Sequence, residues 1–430
     1  MNGDNKRAVR SWCMYDWANS AFATTIMAAV LPAYYSLVAG ASLDKTTASS
    51  YWGYTNTIAM FIIAVLAPIL GAMADHGRAR KKYLGVFASF GILSTGLLVL
   101  VSTGDWLMAS IFYIVGRIGF AGGNIFYDAL LPHVAGEDRI DQVSAYGYAV
   151  GYLGGGLLLA LNLVAILFEI PNKEWAARLS FLSVGVWWAL FSIPLFKNVG
   201  EPPARRIEGE SRNPVQAGFQ RLRSTFREVK KFREAFKFLI AFWLYNDGVS
   251  TIIVMAVIFG AEVGIGQSTL IGAILAVQFV GIPFTVLYGH LAKRLGTKNS
   301  ILVGLVVYTG IAIGGYFLKT GLHFWILAIL VGMVQGGTQA LSRSLFGSII
   351  PRFRTAEFFG FYNVSSKFAG ILGPLLFGVV GQLTGSSRLS IISLIVFFVA
   401  GGLLLMRVDH GKGMHIARQS APGYEGKGPP

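Results

Sequence analysis

The chain has 430 residues, 54% of them apolar and 13% charged, against roughly 45–50% and about 25% in soluble domains, a bias that excludes a soluble globular protein. A formal net charge of +15 would suit a nucleic-acid binder, but the bases sit in loops between apolar stretches, where they set membrane orientation instead. Cys13 is the only cysteine, which excludes an internal disulfide, a thiolate metal cluster and a redox pair.

A helix needs about 20 residues to cross a hydrocarbon core about 30 Å thick. Twelve apolar windows of that length are predicted, at 11–39, 51–73, 83–103, 106–128, 143–168, 176–197, 236–260, 268–289, 299–318, 323–346, 358–382 and 388–406. The first follows a basic tail with Lys6, Arg7 and Arg10, and it opens on YDWANSAF. It is longer than a leader's apolar core and carries Asp16 and Asn19, so it is expected to stay in the membrane. Window 4 carries Arg117, Asn124 and Asp128 at spacings of seven and four, one stripe of a helix. Residues 199–235 form the one long polar stretch. There Asn213-Pro214 reads as a helix start, and Val215, Phe219, Leu222, Phe226 and Val229 with interleaved Arg and Lys read as an amphipathic helix on the inner leaflet. Window 7 carries Asn246, Asp247, Ser250 and Thr251; window 10 carries Gln335, Thr338, Gln339, Ser342 and Arg343; window 11 holds Lys367. The Gly- and Pro-rich segment after Asp409 reads as disordered.

With the N-terminus inside, 28 of the 36 Lys and Arg residues fall on inward segments and five on outward loops. Both termini are therefore expected in the cytoplasm. Expected units are a tail over 1–10, a six-helix bundle over 11–198, a basic linker over 199–235, a second bundle over 236–407 and a tail over 408–430. The halves echo each other. GAMADHGRARKK after window 2 matches GHLAKRLGTK after window 8 at an offset of 218, and a shift of 228 places Asn19 opposite Asp247.

Gly71-x-x-x-Asp75 followed by Gly77, Arg78 and Lys81 resembles the loop signature of the major facilitator superfamily, and Arg117 followed by Gly122-Gly123 is similar to its fourth-helix motif. The stretches 15–22, Tyr245-Asn246-Asp247-Gly248 and 335–344 resemble the branch called the unknown major facilitator family, which includes fungal vacuolar amino-acid effluxers related to autophagy. The resemblance covers residues 11 to about 406. It implies an all-α polytopic protein of twelve transmembrane helices in two six-helix halves, working by alternating access around a cavity lined by helices 1, 4, 7 and 10. It points loosely to amino acids as substrate.

Charges inside a bundle should face a cavity. Asp16, Arg117, Asp128, Asp247, Arg343 and Lys367 are the intramembrane charges, and five of these six lie on windows 1, 4, 7 and 10. The three acids and three bases sum to zero, which suits a zwitterion or small polar solute. Arg117, near mid-membrane, is expected to grip a carboxylate, with Asn19, Asn124, Asn246, Gln335 and Gln339 lining the cavity. Asp247, with no base close in sequence, is expected to carry a coupling proton. Asp16 is expected to form an inner gate with Arg343 or Arg117, alongside Asp128, with Asp75 and Arg78 as its latch.

No G-x-x-x-x-G-K-[ST] run exists, so uphill transport would draw on a proton or other ion gradient. A membrane-embedded enzyme or a non-transporting sensor is the competing reading. The enzyme would need a nucleophile and base or paired metal ligands at one depth, whereas His76, His133, His290, His323, His410 and His415 are peripheral and read as solvated. Neither cofactor nor metal is expected. The chain is expected to act as a monomer in the plasma (inner) membrane, on a small-molecule substrate.

Overall fold

The computed structural model describes residues 3–43, 45–77, 79–202, 216, 220, 231–265, 267–368, 372–384 and 386–420. No strand occurs among the described residues. That is what a bilayer demands of long apolar segments, since lipid offers the backbone no hydrogen-bond partner and a helix satisfies its own.

The first segment is a compound rod. α1 spans Gly3–Ala21, a π-helical stretch covers Phe22–Ala29, one α turn covers Val30–Tyr34, and a second π stretch runs Tyr35–Ala39. The first half continues with α2 Lys45–Gly77, α3 Arg80–Leu97, α4 Trp106–Val134, α5 Ile140–Leu167 and α6 Lys173–Asn198. The second half comprises α7 Arg233–Glu262, α8 Gln267–Leu295, α9 Thr297–Tyr316, α10 Gly321–Ser348, α11 Thr355–Phe368, α12 Leu372–Thr384, α13 Ser387–Ser393 and α14 Ile395–Met406. Among the described residues, ten stretches are long and apolar enough to cross a membrane. They match ten of the twelve windows. In the other two windows the described residues include the shorter apolar stretches Tyr54–Ala67, inside α2, and Leu372–Gly381, inside α12.

Small residues let the helices close up, as packing without a hydrophobic drive between helices requires. A Cβ on Gly119 would stand 2.6 Å from Gly91 Cα, so α3 and α4 touch backbone to backbone. Glu201 begins the linker by folding back: its carboxylate accepts from the backbone N–H of Arg80 at 2.8 Å and of Lys81 at 2.9 Å. These are the free amides of the α3 N-terminus, where a negative charge is favoured. The amphipathic helix expected around 213–229 lies outside the described residues, apart from Gln216 and Gln220.

Of the segment after Asp409, residues 410–420 depart from the expected disorder, and 421–430 lie outside the described residues. Residues His410–Gln419 form α15, whose first turn is capped by the Asp409 side chain accepting from Lys412 N at 2.9 Å. Two ties hold it to the second half. Asp409 N donates to Glu234 Oε2 at 2.8 Å, and His410 Nε2 lies 2.8 Å from Ser348 Oγ.

The halves meet at the end that carries the basic loops. There α2 packs on α11, α5 on α8 and α10, and α4 on α10 and α11. A Cβ on Gly71 would fall 2.6 Å from the Ala356 carbonyl carbon and 2.9 Å from Glu357 Cα. The basic end is closed.

Candidate functional site: a central polar cavity

Above that closure lies a cavity of about 800 Å3 between the halves. Helical spacing turns one stripe of each long helix towards it. The first rod supplies Asp16, Asn19, Ser20, Thr24 and Met27; α4 supplies Arg117, Phe120, Asn124, Tyr127 and Asp128; α7 supplies Phe242, Asn246, Ser250 and Ile253; α10 supplies Gln335, Gln339 and Arg343. Asn19, Arg117, Asn124, Asn246, Gln335 and Gln339, expected from the sequence to line the cavity, are all in its wall. Asn56 and Met60 of α2, Tyr148 and Tyr152 of α5, Gln278 of α8, and Tyr362 and Asn363 of α11 complete the walls.

The floor is a buried charge cluster. Arg343 Nη1 lies 3.2 Å from Asp128 Oδ1 and 3.4 Å from Asp16 Oδ2, and Nε and Nη2 donate to Ser144 Oγ and Ser144 O, each at 2.9 Å. Tyr127 OH donates to Asp16 Oδ2 at 2.8 Å. The guanidinium carbon stands 4.9 Å from the Trp12 ring, 5.7 Å from Tyr127 and 4.4 Å from Tyr148. Asp16 thus takes the first of its two expected partners, Arg343. A buried ion pair tolerates desolvation only when its remaining donors and acceptors are satisfied, and this guanidinium is ringed by acceptors and aromatic faces.

Arg117 is a different case. Eleven residues from Asp128 along α4, or about 16 Å at 1.5 Å per residue, it is only 9% exposed. Nη1 contacts Met27 Sδ, Nη2 lies 3.7 Å from Met60 Sδ, and Nε has no hydrogen-bond partner. Thioether sulfur is a weak acceptor. Between the two charged levels, Asn19 Nδ2 donates to Asn124 Oδ1 at 2.7 Å, joining α1 to α4.

Asp247 does not line the cavity. It is 1% exposed and turned the other way, with Oδ1 accepting from Gly373 N of α12, 3.0 Å away. A buried carboxylate that accepts from a backbone N–H has a structural partner. Asp75 and Lys367, as side chains, and Arg78 lie outside the described residues.

The basic end is latched by residues that the sequence did not mark as a gate. Arg80 Nη1 lies 3.1 Å from His133 Nε2, His133 reaches Thr355 Oγ1 at 3.4 Å, and Arg80 Nη2 donates to Arg352 O at 3.4 Å. His133, expected to be solvated, is part of an interface. Asp141 adds a second tie, accepting from Thr297 Oγ1 at 2.6 Å and from Ser344 Oγ. Among the described residues no group of three or more His, Cys, Asp or Glu is placed to hold a metal. A smaller apolar cavity of about 140 Å3, with Phe259, Phe324 and Leu327 in its walls, adjoins the central one through Ile253, Gln278 and Gln335.

Residues 38–418 match the family model described as vacuole effluxer Atg22 like. The chain belongs to that family. An uncharacterized MFS-type transporter of Bacillus subtilis, YxiO, is 41% identical over 95% of this chain and 96% of its own length. Autophagy-related protein 22 of Yarrowia lipolytica is 25% identical over 84% of this chain and 75% of its own length. Among solved structures, the proton:xylose symporter XylE superposes with a TM-score of 0.67 at 15% identity, covering 95% of this chain and 96% of that one. FucP, in its outward conformation, gives 0.67 at 11% identity, covering 94% and 98%. The fold is that of the major facilitator superfamily, and this Atg22-like chain is a multi-pass membrane transporter, as the motifs around Gly71 and Arg117 implied.

Proposed function

We propose that the chain is a secondary active transporter that moves a small polar solute bearing a carboxylate, with an amino acid as the favoured class, by alternating access. The observation that carries this reading is Arg117: a guanidinium nine-tenths buried beside a solute-sized cavity, with two thioether sulfurs as its described partners. Leaving such a charge unmatched is costly, so the site is built for an anionic group that arrives with the solute. The amides of Asn124, Asn246, Gln335 and Gln339 then read its polar remainder. The adjoining apolar cavity suits an apolar side chain.

The reading includes twelve membrane helices, both termini in the cytoplasm, the plasma membrane as location and a monomer as the working unit. The closed basic end is then the inner gate. Coupling to protons is assigned to Asp16 and Asp128, which line the cavity and share one base. Separation of the halves would remove Arg343 and leave two acids ready for protons. Uptake and counterflow in proteoliposomes, with a panel of amino acids, sugars and peptides, test the proposal. Saturable transport of a carboxylate solute, weakened in Arg117→Lys, is expected; transport of a solute lacking any anionic group, untouched by that substitution, would overturn it.

A further inference from the structure

The floor cluster has an unequal construction. Every group around the Arg343 guanidinium named here belongs to the first half: Trp12 and Asp16 on α1, Tyr127 and Asp128 on α4, Ser144 and Tyr148 on α5. The guanidinium comes from the second half, which also touches the cage's rim at Ala340 O, accepting from Ser144 Oγ at 2.7 Å, and at Asn363 beside Asp128.

The walls are also fastened to one another. Trp12 stacks on Tyr127 with centroids 4.4 Å apart and planes 11° apart, and Trp12 Nε1 donates to Tyr127 O at 3.1 Å. Tyr127 OH in turn holds Asp16 at 2.8 Å. None of these ties involves Arg343, so the cage stays assembled when the second half withdraws. It then holds two carboxylates, the Ser144 carbonyl that Nη2 had used, and three aromatic faces without a cation.

We propose that this cage is a binding site for an organic cation of the guanidinium or alkylammonium type, occupied by Arg343 in the closed state and open to a free cation once the basic end opens. Carboxylates alone would accept a proton or a small metal ion as readily. The aromatic faces favour a weakly hydrated organic cation, because ring quadrupoles attract a charge that sheds its water cheaply. Arg343 is thus a tethered ligand, and a free cation that takes its place holds the basic end open.

The test empties the cage without opening the protein and requires no transport, so its failure and that of the transport reading can be told apart. Purified Arg343→Ala is titrated with ethylguanidinium chloride while thermal unfolding is followed, with ethylurea and sodium chloride as neutral and ionic controls. Saturable stabilisation by ethylguanidinium alone is expected, with little effect on wild type, whose cage is filled. Adding Tyr148→Leu should weaken the apparent affinity about tenfold. Equal stabilisation by sodium chloride, or none by ethylguanidinium in a folded Arg343→Ala protein, would overturn the assignment. If two unmatched acids prevent Arg343→Ala from folding, the same titration on Arg343→Ala with Asp128→Asn decides. That variant keeps Asp16 and all three rings, and the same outcomes apply.

Discussion

Asp128 and Asp16 approach one guanidinium, that of Arg343, at 3.2 and 3.4 Å from the same half of the molecule. One base serving two acids makes the partners unequal. Removing Arg343 leaves two buried carboxylates, and Arg343→Ala is expected to cost about 3–5 kcal/mol of stability. Asp128→Asn leaves Asp16 in place and should cost about 1–3 kcal/mol. Denaturation of both variants checks the order; equal losses would mean that Asp16 contributes nothing to the lock.

Arg117 presents a planar fork to the cavity, and lysine supplies charge without that fork. Arg117→Lys is expected to raise the apparent KM for a carboxylate solute by about tenfold or more, because a charged hydrogen bond contributes about 1.5–3 kcal/mol. Folding should be unaffected. An unchanged KM would assign Arg117 to packing.

Gly71 allows α2 to lie against the Ala356–Glu357 backbone. Gly71→Val should hold the halves apart at the basic end. Thr355→Cys, at a position wholly buried there, should then react with a maleimide several-fold faster, while Cys13 at 1% exposure gives little background. No change in rate would mean that the loop, not the glycine, sets the approach.

His410 docks α15 onto Ser348, and burial holds its pKa below the ordinary imidazole value of 6.5, against the opposing pull of Asp141 and Asp409 and with the help of Lys298. The docked state therefore binds fewer protons than the undocked one. Docking is fully favoured above about pH 6.5 and weakens as pH falls through that value. Protection of the α15 amides, relative to their intrinsic exchange at each pH, should fall as pH drops from about 7 to 5, and His410→Gln should flatten the profile. A profile that survives the substitution would place the titrating group elsewhere.

Asp247 separates two expectations. As a proton carrier, Asp247→Asn would abolish accumulation against a gradient. As a buried acceptor for Gly373 N, Asn keeps the acceptor oxygen, so accumulation should persist, whereas Asp247→Ala should lose about 1–3 kcal/mol of stability. Loss of accumulation in Asp247→Asn with intact exchange would restore it as the coupling acid.

The polar stripes were legible because charge is too costly in lipid to be placed idly, so Asp16, Arg117, Asp128 and Arg343 announced the cavity. Helix 7 was not, for a geometrical reason. Asn246 with Ser250 and Asp247 with Thr251 are both four-residue pairs, about 100° apart on the helix, and spacing cannot tell which faces inward. The cavity takes the first pair and Gly373 of α12 takes the second. Asn56, Gln278 and Asn363 escaped notice as single amides in apolar windows. The Arg80–His133–Thr355 latch escaped because its members lie 53 and 222 residues apart in sequence.

The π-helical stretch Phe22–Ala29 gives the first rod a slack that no straight α-helix has. Each residue there advances the chain through a smaller angle than the roughly 100° of an α-helix. A chain that lost one residue from this stretch could relax towards α geometry and keep Asp16 and Asn19 below, and Tyr34 above, on their present faces. The same loss in α4 would swing everything beyond it by about 100° and break the Arg117–Asp128 stripe. Natural length variation in the first rod should therefore gather between Phe22 and Ala29, and deletion scanning would find its tolerant positions there.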